Sequence, residues 1–243
     1  MPSQQKFSMP TCAWHWEWVP PAPPGGTDDD PWAAHLVELY TAWTAEGLAA
    51  ARKLWPKETG ELEEDFPLTA DAMGRTVAAW LRERAGQLPA WSRLAWGAAF
   101  VNDKPHWAPV PVVVEFRRPG ADDPNYLLET MGAGGIESDA RTPVVEYVTT
   151  LAGDGFRFLA LGRTPEGASY GRVGAALRLE IPQDGGASES GVDVLLTTSV
   201  ADMGLLAVIG AGMEQLMQEI AAASMPPPGG GRAPLGFVPG VQP

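Results

Sequence analysis

The chain has 243 residues, 45% hydrophobic and 19% charged, with 28 glycines and 24 prolines, enough for one good core and marginal for two. Seventeen basic against thirty acidic residues leave a formal charge of -13, which excludes the clustered Lys and Arg that nucleic acid demands and disfavours an anionic bilayer. One cysteine, Cys12, excludes an internal disulfide, and no cationic neighbour activates its thiol.

Residues 1–27 alternate Pro, Gly, Ser and Trp without a period and read as a flexible Trp/Pro-rich arm. Within it Trp14, Trp16 and Trp18 fall on one side of an extended segment, with His15 and Glu17 opposite. Three indoles are not normally left exposed in a loose tail. The segment is therefore expected to pack as an edge strand on its own domain or to anchor a partner, which makes the three tryptophans interaction candidates. No basic region followed by an apolar run opens the chain, so no secretory signal is read and a cytoplasmic location is expected.

A single domain is expected over 28–223, helical over 28–90 and built over 91–223 from a sheet and a C-terminal helix. Asp28 to Asp30 followed by Pro31 is a helix start. Trp32, Leu36, Leu39, Tyr40 and Trp43 give that helix an apolar face, and Trp55-Pro56 is expected to end it near Lys53. Residues 57–66 read as an acidic linker. Thr69 caps a second helix whose face is Met73, Val77, Trp80, Leu81 and Arg84, stopped by Gly86 and Pro89. Pattern alone does not separate helix from strand over 91–101.

The period then changes from 3.6 to 2. Val110, Val112, Val114 and Phe116 alternate with less apolar neighbours, as do segments around 144–150, 156–161, 173–181 and 192–200. Turns are read at Gly153-Asp154-Gly155, at 164–167 and at 183–186. Connections this short hold no crossover helix, so 144–200 should be an antiparallel meander. Asp202 caps a last helix with Leu205, Leu206, Ile209, Met213, Leu216, Met217 and Ile220 buried. Glu214, Gln215, Gln218 and Glu219 interrupt it too much for a lipid-spanning segment. Residues 224–243 are Pro/Gly-rich, a disordered tail by composition. The fold class is α+β, an antiparallel meander flanked by helices.

This order of elements, with the phrase Asp193-Val-Leu-Leu-Thr-Thr-Ser before a closing apolar helix, resembles actinobacterial members of the PsbP-like superfamily over about residues 91–223. The resemblance implies an α/β/α sandwich that serves as an accessory or binding module, and it transfers no functional residue.

Catalytic signatures are sparse. His15, His35 and His106 have no second His or Cys at ligand spacing, so no metal is expected. Ser190 sits in a loop entering a strand, the wrong setting for a nucleophile elbow, and the glycine runs at 132–135 and 229–231 lack the Lys-Ser/Thr of a phosphate loop. Asp122-Asp123 and Glu137/Asp139 can be imagined as a carboxylate pair across one rim of the sheet. Arg117, Arg157 and Arg178 lie on polar sides of strands and are anion-site candidates if the strands neighbour one another, with Glu115, Glu146 and Glu180 placed to neutralise them. The expectation is an accessory or protein-interaction module without catalytic activity or cofactor, its partner another protein. The alternative is a small-molecule or anion-binding domain using a cleft between sheet and helices.

Overall fold

The computed structural model describes residues 12–21, 30–120, 123, 125–181 and 190–225. The expectations for the tail beyond 225, for the turn at 183–186 and for Asp122 lie outside the described residues. The segment Cys12–Trp18, within the stretch read as a flexible arm, is a strand, β1, at the edge of the sheet, as the edge-strand expectation for the tryptophans had it. The other strands are β2 (Ser92–Val101), β3 (Lys104–Pro105), β4 (Val110–Arg117), β5 (Val144–Thr150), β6 (Gly153–Arg163), β7 (Ser169–Ile181) and β8 (Ser190–Val200). The helices are α1 (Pro31–Thr59), α2 (Ala70–Gly86), α3 (Tyr126–Thr130), α4 (Met203–Leu206) and α5 (Ile209–Ser224).

Seven strands form one antiparallel sheet in the order β1-β2-β4-β8-β7-β6-β5, and short β3 folds back on the end of β2. The last four strands are the expected meander. After β4 the chain crosses to the far edge and returns strand by strand until β8 closes against β4. The ambiguous segment after Trp91 is β2. Its turn into β3 is Asn102-Asp103, both residues at positive φ, as a tight two-residue hairpin requires.

The sheet is curled. Its two edge strands, β1 and β5, both touch α5, which lies across the concave side. Ile209, Met213, Leu216, Met217, Ile220 and Ala221 pack there against Val112, Val114, Ala175, Leu177, Val194 and Leu196. Gln215 Nε2 donates to the Trp14 carbonyl on one edge at 3.1 Å, and Gln218 Nε2 to the Thr149 carbonyl on the other at 2.9 Å. One helix thus satisfies carbonyls that a sheet edge otherwise leaves to water.

The convex side has two covers. The α1–α2 pair lies over β1, β2 and β4, where Leu36, Ala78 and Leu81 enclose Leu94, Trp96 and Ala98. The segment around α3 lies over β6 to β8, with Met131 and Ala133 on Phe156, Phe158, Ala176 and Leu195.

Several boundaries differ from the sequence reading. Asp30 caps α1 through Trp32 N–H at 3.0 Å and Ala33 N–H at 3.3 Å. The helix runs past Pro56 to Thr59, six residues beyond the expected end. Pro56 removes one backbone donor, but the Trp55 ring meets Phe66 edge-on at 5.7 Å and Gly60, at φ 78, closes the helix onto the Pro56 carbonyl. Tertiary packing outweighs the local preference.

The buried residues of α2 are Gly74, Ala78 and Leu81; Leu81 was expected, while Met73, Val77 and Trp80 are only half-buried and Gly74 and Ala78 take their place because α1 approaches closely. A Cβ on Gly74 would lie 2.7 Å from Val37 Cα. Gly153 to Gly155 are not a turn. They begin β6, and the turn is Leu151-Ala152; a Cβ on Gly153 would stand 2.0 Å from the Arg178 carbonyl, so the glycine marks close strand contact. The expected C-terminal helix is two. Asp202 caps α4 through Gly204 N–H at 2.7 Å, and α5 starts afresh at Ile209.

Candidate functional site

The tryptophans of β1 belong to the core. Trp14 is 7% exposed and packs on α5. Its ring stacks on Trp16 with centroids 5.2 Å apart and planes 9° off parallel, and Trp18 lies 6.5 Å from Phe116. Trp16 and Trp18 are half-buried against the same cluster. Strand alternation turns His15 and Glu17 to the other side, toward α1. There Glu17 Oε1 accepts from His15 Nε2 and from His35 Nε2, each at 2.9 Å, and the His15 ring stands edge-on to Trp43.

Sequence placed His15 and His35 apart; the strand folding back on α1 brings them to one carboxylate. Burial acts to raise the Glu17 pKa, but the two histidine hydrogen bonds outweigh it and hold the group below its ordinary value. His106 stands elsewhere, with Nε2 3.0 Å from Asp202 Oδ2. Among the described residues, no group of three His, Cys, Asp or Glu side chains is placed to hold a metal ion. Burial pushes the Cys12 thiol up, the opposite of activation.

The three arginines do not form one platform. Arg117 and Arg178 lie on the convex side, on either side of Asp193 in a single row across β4, β8 and β7. Arg178 Nε donates to Asp193 Oδ1 at 2.7 Å and Nη2 to Oδ2 at 3.0 Å, and Gly120 N–H also reaches Oδ2 at 2.9 Å. Asp193, 1% exposed, is thereby satisfied. Arg117 pairs with Glu115. Arg157 is on the concave side, between Glu146 at 2.5 Å and Glu214 at 3.5 Å. Of the cross-strand pairs expected from Glu115, Glu146 and Glu180, the one between Glu146 and Arg157 forms, whereas Glu115 pairs with Arg117 along its own strand. The sequence reading missed Asp193, which alternation places on the polar side but which Arg178 and the backbone at Gly120 enclose.

Two further arginines act as clamps that sequence did not single out. Arg82 makes a bidentate pair with Asp30, donates to the Pro20 and Pro21 carbonyls, and lies over the Trp32 ring at 4.6 Å. It ties β1 to both helices. Arg172 pairs with Asp139, donates to the Met131 and Gly132 carbonyls, and covers Phe158 at 4.7 Å. Asp139 is thus committed to Arg172, whose hydrogen bond holds its carboxyl below the usual range, rather than to a carboxylate pair with the Asp122-Asp123 loop.

Two of the open surfaces among the described residues bear on binding. A convex trough of about 450 Å³ runs between α2 and the β4–β8 pair, lined by Trp80, Arg84, Pro111, Val113, Thr197 and Ser199. Arg84 lies 5.0 Å over the Trp80 ring, and among the described residues no carboxylate lies within ion-pair reach of it.

The second surface is the outer edge of β5. Among the described residues β5 pairs only with β6. Thr150 and Gly153 flank a two-residue turn, so residues 150, 148, 146 and 144 bond inward to β6. Val145, Tyr147 and Thr149 therefore turn their amides and carbonyls outward, and the Thr149 carbonyl bound by Gln218 obeys this parity. Tyr147 is 78% exposed, Leu151 78% and Val144 57%. No Lys or Pro, the residues that usually guard an edge, occurs within 144–150.

No family model, curated protein or solved structure matches the chain. Among the described residues no helix is long and apolar enough to cross a membrane.

Proposed function

We propose that the protein is a non-catalytic interaction module that recruits another polypeptide by strand addition at β5. The observation that carries this reading is the outward row of backbone groups on Val145, Tyr147 and Thr149, beside large exposed side chains at Tyr147 and Leu151. A row of amides and carbonyls at strand spacing fits an extended polypeptide, and exposed side chains alternating with it supply selectivity. Under this reading the chain acts inside the cell. The likeness to the PsbP-like superfamily, whose sandwich serves as a binding module, is part of the same proposal. Helices on both sides of an antiparallel sheet support it.

The test is a photo-crosslinking residue at position 147 in the native cell, with position 58 on the exposed end of α1 as control. A discrete protein adduct from 147 and none from 58 is expected. Equal labelling at both positions, or none at 147, overturns the reading.

The trough supports a second reading, as an anion-binding cleft. Arg84 stacked on Trp80 beside Thr197 and Ser199 offers a guanidinium and hydroxyls to a carboxylate or phosphate. Titration with inorganic phosphate should then raise the melting temperature of the wild type and leave Arg84→Gln unmoved.

A further inference from the structure

We infer that a groove between the end of β1 and the end of α2 binds the chain's own proline-rich segment beyond α5, with residues 234–239 seated in it. The inference uses a different surface from β5 and stands apart from strand addition there.

The groove has a volume of about 590 Å³, and Trp18, Pro20, Pro21, Leu88, Pro89 and Ser92 are among its walls. Carbonyls along it are already engaged. Arg82 donates to those of Pro20 and Pro21, the Val19 N–H to that of Leu94 at 2.8 Å, and the Ser92 N–H to that of Pro89 at 2.9 Å. Donors are what the groove has to offer. Ser92 is 9% exposed, and its hydroxyl has no hydrogen-bond partner among the described residues, an uncommon state for a buried polar group. The Trp18 indole brings an N–H as well. An ordinary extended peptide carries one N–H per residue and needs acceptors in return. A proline-rich one carries carbonyls with few N–H groups, and it docks on aromatic-lined grooves in an extended form that loses little entropy. The chemistry of the groove thus selects the class of occupant.

The chain holds such a segment within reach. Pro226, Pro227, Pro228, Pro234, Pro239 and Pro243 follow α5, with Leu235, Phe237 and Val238 between the fourth and fifth of them. Glu219 and Ile220, near the end of α5, share a small cavity with Trp16 and Trp18, and Trp18 is also a wall of the groove. The helix therefore ends beside the indole that bounds the site. At about 3.1 Å per residue, residues 226–232 cover roughly 20 Å, enough to pass Trp18 and bring Pro234 to the walls. Tethering favours this segment over a foreign peptide of the same composition, because a short linker gives an effective concentration on the order of millimolar. Charge favours it too. Arg232 is the only charged side chain of residues 226–243, in a chain of formal charge -13.

The decisive experiment uses the purified full chain with a photo-crosslinking residue in place of Ala90, which is exposed at the groove. A second sample carries it in place of Leu54, 48% exposed toward the far end of α1. Peptide mapping of the monomeric product should place the link from position 90 within residues 232–239, at least fivefold above any link into that segment from position 54. Tenfold dilution should leave the yield unchanged.

Leu235→Ser together with Phe237→Ser, both outside the packed core, should cut the yield from position 90 at least fivefold. No link from position 90 into the segment, equal links from positions 54 and 90, or a yield that survives both serines overturns the inference. A link that fades on dilution also overturns it, since the seated segment would then belong to another molecule.

Discussion

Glu17 concentrates the residue-scale electrostatics of β1. Its carboxylate accepts from His15 on its own strand and His35 on α1, and its pKa lies below the ordinary value although burial alone would raise it. A carboxyl with a depressed folded-state pKa contributes stability that is present above the unfolded value and lost as pH falls through the folded one. Glu17→Gln should therefore lower the melting temperature at neutral pH. The gap to wild type should narrow as pH falls below the ordinary glutamate value of about 4.3 and close once the depressed folded-state carboxyl is itself protonated. Thermal melts of both proteins from neutral to acidic pH check this, and a gap that widened in acid would contradict it. His15 and Glu17 were legible as facing away from the tryptophans, since alternation fixes that. Their meeting with His35 was not, because it depends on where α1 lies across the strand.

Helix α2 shows how an element can be found correctly and its face misjudged. Thr69 and Gly86 bound it as the sequence reading expected. The stripe chosen by side-chain size was right at Leu81 but left out Gly74 and Ala78, which are buried beside it. Small residues give no hydrophobic signal, yet they let two helix backbones approach. Gly74→Ala is the sharp case. Helix propensity favours the alanine by about 1 kcal/mol, but the added methyl would meet Val37 Cα at 2.7 Å and the Leu36 carbonyl at 3.2 Å. Backbone atoms cannot swing aside as a side chain can, and overpacking of this kind costs about 1–3 kcal/mol. A net loss of about 1 kcal/mol in denaturant-unfolding free energy is expected; a gain would show that the helices separate at little cost.

For the whole molecule, β1 joins the two sides of the sheet. Its tryptophans pack under α5, its His15 and Glu17 bind toward α1, and Arg82 holds the Pro20 and Pro21 carbonyls behind it. Deleting residues 1–21 should lower the melting temperature and increase binding of a hydrophobic dye, because Ala95, Ala99 and the concave face of α5 lose the cover of Trp14 and Trp16. An unchanged melt with unchanged dye binding would mean the strand contributes nothing to the core. Local chemistry by itself determined the strands β4 to β8, the helix caps at Asp30, Thr69 and Asp202, and the meander, because alternation, capping and short connections act between near neighbours. Only the tertiary structure decided that the sheet curls about α5, that Arg157 lies on the opposite side from Arg117 and Arg178, and that Asp193 is buried. Those outcomes depend on curvature and on which covering elements meet, and contacts between residues distant in sequence leave no period in the chain to read.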